Sequence, residues 1–352
     1  MNLVTKTQKK YVAPNAKRKT KNFLLTFLFP IIGVLFLFGG SMLAGRPAIL
    51  NQLEFNNILL TMLTTLIACF ALNTNLNSGR MDFSLGATGI LATSIAYLIL
   101  PDKTASYFPI LFLVLSIAFG IIVGLINGLI FTWLKIPAIV VSLGMCLIFE
   151  GIAYVLSGNT GNIKMFEATG LYQFIVNPWF LIAVVVIVSV AMIIALKYSK
   201  FGHDKLSILF GQKVAVDTGI NEVKNAVVCY ALAGALIALY TYINSIATKQ
   251  TIEIPTNLGS AMAVMQNFLP IFLGGLIAKH SNEVIGLICG VFSVVLFKQG
   301  LTNYGVDLDI INLVVSLLIF VILTYMVNWT DWMTKIKDKI RNHKLDKIDS
   351  KK

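Results

Sequence analysis

Long apolar runs separated by short polar segments set the character of this 352-residue chain. Phe108–Phe131, Trp179–Leu196 and Ile310–Val327 each run for roughly 18 residues or more with almost no charge. At 1.5 Å per helical residue, that length crosses a ~30 Å hydrocarbon core. The same pattern predicts ten spans, at residues 23–44, 56–73, 82–100, 107–133, 137–156, 179–197, 225–246, 263–278, 284–301 and 309–328. The first is too long for the core of a secretory signal and is followed by Arg46 and Pro47, so it reads as an uncleaved helix. The third is the least regular. Polar and glycine residues between Asn73 and Gly86 interrupt two apolar runs. Non-helical backbone at membrane depth needs protein or a water-filled cavity to satisfy it, so a broken or re-entrant helix is expected near 73–86.

Composition agrees with an all-α integral membrane protein. Hydrophobic residues make up 57% and charged residues 12%, against about 25% charged in soluble domains. The net charge of +12 changes the picture through its distribution. In the ten-span arrangement 23 of the 28 Lys and Arg residues fall on the side that carries both ends of the chain. The positive-inside rule makes that side cytoplasmic. No basic stripe with interleaved aromatics is present, so a nucleic-acid partner is not expected. The chain therefore divides into a basic tail (1–22), a transmembrane domain (23–328) with one long cytoplasmic loop (198–224), and a basic C-terminal tail (329–352). In that tail Trp329, Trp332, Met333, Ile336 and Ile340 recur at helical spacing among lysines, as in an amphipathic helix on a lipid surface.

Candidate chemistry is sparse. Cys69, Cys146, Cys229 and Cys289 each sit alone in an apolar run, which indicates packing rather than a disulfide or zinc site. Gly120, Gly124 and Gly128 in one span, and Gly286 and Gly290 in another, form small-residue faces for close helix packing. The sequence holds no GxxxxGK[ST], HExxH or GxSxG pattern, and its histidines (His203, His280, His343) fall in cytoplasmic segments. No catalytic group, metal site or cofactor is expected, and energy for transport has to come from a gradient or from another subunit. Asp82 and Glu150 are the carboxylates within or near the bilayer. They motivate the competing reading of a self-sufficient secondary transporter or channel, or else serve as hydrogen-bond acceptors. Asn73, Asn75, Asn127, Gln266, Asn267 and Asn303, with Asp82, are the candidates for a path that handles polar hydroxyl groups.

Four stretches resemble a known family. They are Met81-Asp82-Phe83-Ser84-Leu85-Gly86, then Gly124–Leu129 with Ile136–Gly144 and Gly151–Gly158, then Lys200-Phe201-Gly202 with Gly211 and Thr218–Ile220, and finally Leu273–Gly275 with Gly300 and Leu301. In order and separation they are similar to ABC importer permeases of the ribose/galactose/xylose type, relatives of the branched-chain amino-acid permeases. The resemblance covers about 56–328 and implies a permease of the bacterial cytoplasmic membrane for a sugar or related small polar solute, nucleosides included. It implies a second permease copy or a paralogue beside it, an ATPase subunit that binds ATP and magnesium, and an extracytoplasmic solute-binding protein. It also places the coupling helix at Gly211, Gln212, Lys213, Ala215, Val216, Asp217, Thr218, Gly219 and Ile220, and the solute path between the two permeases, near the second, third and eighth spans. The chain departs from the pattern at Ser78-Gly79-Arg80, at Glu150 and in the glycine-free stretch from Leu276 to Glu283.

Overall fold

The computed structural model describes residues 16–43, 45, 52–103, 105–165, 175, 177–248, 251–325 and 328. The amphipathic C-terminal tail and the first fifteen residues lie outside this range. Among the described residues the chain is a helical bundle: α1 (Ala16–Leu43), α2 (Gln52–Leu76), α3 (Leu85–Ile99), α4 (Phe108–Leu134), α5 (Ala138–Leu156) and α6 (Pro178–Ile193) come first. A π-helical turn at Ile194–Tyr198 leads into α7 (Lys200–Asp217), α8 (Glu222–Thr248), α9 (Gly259–Met265), α10 (Phe268–Ala278) and α11 (Glu283–Asn303). The last helix, α12, spans Leu308–Tyr325. Nine helical segments of this set are long and apolar enough to cross a membrane, the pair α9–α10 counting as one. The shorter apolar α3 is the tenth. Helix begins seven residues inside the expected N-terminal tail, at Ala16.

Local sequence explains the helix ends. Pro109 and Pro178 open α4 and α6 in their first turns, where a missing N–H costs nothing. Asn177, Ser199 and Asn282 cap α6, α7 and α11 by accepting from the backbone N–H of Trp179, Gly202 and Ile285. Lys135 ends α4 in a left-handed conformation just before Pro137 starts the next turn.

Packing follows the small-residue faces. A Cβ on Gly120 would stand 2.6 Å from the Ala238 Cβ, and one on Gly128 3.1 Å from the Val227 Cα. The glycines of α4 therefore bring α8 to backbone contact, in antiparallel register. On Gly290 a Cβ would lie 2.6 Å from the Pro270 carbonyl oxygen, which makes the same contact between α10 and α11. Gly33 faces Ser293 and Gly40 faces Tyr304, so α1 and α11 run parallel. These directions are the ones ten alternating crossings require. All four cysteines are free and buried, as packing residues should be.

A two-stranded ribbon closes one end. β1 (Asn162–Lys164) pairs antiparallel with β2 (Thr251–Glu253), with Ile163 opposite Ile252 and both buried. The strands follow α5 and α8, which finish at that same end.

Candidate solute path and coupling surface

The expected interruption is a buried turn between α2 and α3, built around one backbone carbonyl. The Asn75 oxygen accepts from the backbone N–H of Ser78 and Arg80 and from the Ser78 hydroxyl. Gly79 supplies the positive φ, +77°, that this reversal needs. Asp82 then organises the start of α3. It accepts from the Ser84 backbone N–H at 3.0 Å, the Ser84 hydroxyl at 2.6 Å and the Asn75 side-chain amide at 3.0 Å. Asn127 reaches across from α4 to donate to the Ser84 hydroxyl at 2.7 Å. With α4 ending at Leu134, Asn127 lies about 10 Å in from that end. The polar break thus enters the bundle and is satisfied largely by the protein itself. The side-chain carbonyl oxygens of Asn75 and Asn127 are the acceptors left over.

The second carboxylate does similar work at the opposite end. Glu150 on α5 accepts from the Leu258 N–H at 3.0 Å, the Ser260 N–H at 2.9 Å and the Ser260 hydroxyl at 2.5 Å. It clamps the start of α9 where Asn257 and Leu258 both take left-handed backbone angles. Asp82, with three donors, and Glu150, which also accepts from the Cys146 thiol at 3.7 Å, thus both act as hydrogen-bond acceptors at the start of a helix.

The eighth span carries an interruption that its apolar composition concealed. α9 stops at Met265, Gln266 and Asn267 form a turn, and α10 resumes at Phe268. Cys69 of α2 donates to the Asn267 carbonyl oxygen at 3.6 Å. Gln266 is exposed on the side of Met262, away from the core. A cleft of about 160 Å³ lies beside α9, with Thr241, Asn244, Ser245, Glu253 and Ser260 set among apolar residues such as Ile90 and Val264. Asn303 lies elsewhere, accepting from Gln299, which also donates to Glu54. The seven candidate path residues therefore fall in four places. Asn75, Asp82 and Asn127 share one polar core, Asn73 instead donates to Glu283, Gln266 and Asn267 mark the second break, and Asn303 lies at the far end.

The segment 198–224 is mostly helix. α7 contains one non-helical residue, Gly211, which divides it into two pieces. Gly202, Lys205, Ile208 and Ala215 are buried, whereas Phe210 is 82% exposed and Val214 68%. The helix thus has one face on the bundle and an apolar crest away from it. Gln212 does not join that crest. Its amide donates to Glu222 at 2.7 Å. A cleft of about 600 Å³ between Lys200, Asp204, Thr218, Asn221 and Lys224 runs alongside.

Sequence reasoning missed two ion pairs beneath α7. Arg80 meets Glu222 and Lys205 meets Glu283, each at 3.5 Å. Glu222 and Glu283 open helices and look like ordinary first-turn acids. Only their contact with buried cations distinguishes them.

Residues 54–324 match the family described as branched-chain amino acid transport system / permease component. The chain belongs to that family. This permease is 25% identical to the galactose/methyl galactoside import permease protein MglC of Haemophilus influenzae, over 83% of this chain and 92% of that one. It is 26% identical to the ribose import permease protein RbsC of Bacillus subtilis, over 74% and 81% of the two chains. The autoinducer 2 import system permease protein LsrC of Salmonella choleraesuis is 25% identical over 60% of each. No solved structure matches this permease. It is a multi-pass membrane transport subunit and not itself an enzyme.

Proposed function

We propose that this permease imports a sugar or related small polar solute using ATP hydrolysed by a separate subunit, which docks on α7. The observation that carries the coupling part is α7 itself. It is anchored through Lys205, Ile208 and Ala215, and it offers Phe210 and Val214 outward at the end of the bundle where the basic segments gather. Buried apolar anchors in a partner's pocket supply most of the energy of a protein interface. Lys213 and Asp217 flank the crest, Val216 is exposed beside it, and Thr218–Gly219–Ile220 closes the helix through the Ile220 N–H to the Ala215 carbonyl.

The sugar part rests on the galactose and ribose import of the permeases this chain is similar to and on neutral donors and acceptors beside α9. The exposed side of α9, with Met262 and Gln266, is the surface we assign to a second permease copy or a paralogue. The solute path then runs between the two, past Gln266 and the cleft of Thr241, Asn244 and Ser245. A solute-binding protein on the ribbon side completes the reading. ATP and magnesium belong to the partner subunit.

Co-reconstitution of the chain with its ATPase and binding protein tests this. Uptake of radiolabelled galactose or ribose has to require all three and ATP. Phe210→Ala is expected to weaken ATPase association at least tenfold with no change in thermal stability. Sugar accumulation by the permease alone in liposomes under an ion gradient would refute the reading.

A further inference from the structure

Two buried cations and two half-buried acids join α7 to the break between α2 and α3. The Lys205 and Arg80 side chains are 3% and 5% exposed, and each faces a glutamate that is 32% exposed. Buried ammonium and guanidinium groups are tolerated only when paired, so each strongly constrains where its partner's helix can go. Glu283 Oε1 receives three donors: Lys205 Nζ from α7, the Asn73 amide at 2.6 Å from α2, and the Asn77 amide at 2.7 Å from the turn. Glu222 Oε1 receives two: the Arg80 guanidinium from the turn and the Gln212 amide from the second piece of α7. Lys205 and Gln212 lie on opposite sides of the kink at Gly211. Each piece of α7 therefore reaches the α2–α3 turn through one carboxylate.

The geometry is incompletely made. Both ion pairs stand at 3.5 Å, beyond the ~2.7–2.9 Å of a tight charge-assisted bond. Arg80 Nη1 is buried with no partner. The cluster can tighten if α7 shifts, and the carboxylates would carry Asn73, Asn77 and Arg80 with them. The turn they would move leads directly to Asp82, Ser84 and the start of α3.

We propose that Lys205–Glu283 and Arg80–Glu222 form a two-point ionic linkage that positions the α2–α3 break according to the position of α7. Displacement at the ATPase surface is thereby delivered to the polar core at Asn75, Asp82 and Asn127. This rests on the reading of α7 as the ATPase docking helix, and a two-part measurement separates the failures. Full-length permease is reconstituted with its ATPase and binding protein. Assembly is scored by co-purification, and coupling by solute moved per ATP hydrolysed.

Lys205→Met and Glu283→Gln are expected to assemble and hydrolyse ATP, with solute per ATP reduced at least tenfold. The reciprocal exchange Lys205→Glu with Glu283→Lys is expected to recover coupling to within about threefold of the natural chain. Asn77→Ala removes one neutral donor to Glu283 from a half-exposed position. It is expected to lower solute per ATP about threefold, and it decides the matter if the charge variants fail to insert. Failure of the unaltered permease to assemble with the ATPase sinks the docking reading. Normal assembly with unchanged solute per ATP in these variants overturns the linkage alone. Uptake and ATP hydrolysis falling in parallel with assembly would also overturn it, making these residues part of the docking surface.

Discussion

Replacing Glu150 by Gln tests the claim that this carboxylate holds the start of α9. Glu150 is 3% exposed and accepts three hydrogen bonds from the start of α9 on its two oxygens, with the Cys146 thiol a longer fourth donor at 3.7 Å. Glutamine keeps one acceptor. Placed at Oε1 it retains both donors of Ser260, and its NH2 group then faces the Leu258 N–H, donor against donor. Leaving one backbone N–H unsatisfied costs about 1–3 kcal/mol, and the bonds that remain lose their charge assistance. The Leu258 site is only partly buried, so the lower half of that range applies, and the total is about 2 kcal/mol. If α9 opens locally, that corresponds to roughly 30-fold faster amide exchange, at 1.4 kcal/mol per tenfold. Hydrogen exchange on the permease in nanodiscs is the assay, read at Leu258 and Ser260 with the α4–α8 contact as an internal reference. Unchanged protection at both amides would refute the assignment, and so would uniform loss across the bundle.

The remaining expectations concern packing and access. Gly124→Leu should lower stable membrane accumulation, because its side chain would meet the Tyr230 and Ala231 backbone, and overpacking typically costs about 1–3 kcal/mol. Gly151→Ala is the control: a Cβ there has no neighbour within 4 Å, so expression and melting temperature should match the natural chain. A membrane-permeant maleimide should label none of the four buried cysteines in native membranes within minutes, and all four after denaturation. Rapid native labelling of Cys146 or Cys229 would show that the core opens where these contacts keep it closed.

Apolar run length alone marked nine membrane-length helices among the described residues, with the shorter α3 as the tenth, because a hydrocarbon core demands a minimum helix and penalises charge inside it. Charge placement predicts an orientation, and the glycine triplet at 120, 124 and 128 announced a close helix contact without naming the partner. The sequence also placed a break near Asn73–Gly86, where polar residues accumulate, and it predicts the helix near Gly211 that we propose as the ATPase docking element. Tertiary structure decided the rest. The interruption at Gln266–Asn267 was hidden, since a two-residue turn leaves the apolar average of the span intact. Asp82 and Glu150 looked alike as intramembrane acids, and only their donors showed that each fastens the start of a helix. Asn73 could be assigned to Glu283 only by folding, because 210 residues separate them. The linkage of Lys205, Arg80, Glu222 and Glu283 has no sequence period at all. Its members come from three helices and a turn, and what makes them a unit is burial, which turns ordinary surface charges into groups that must stay paired.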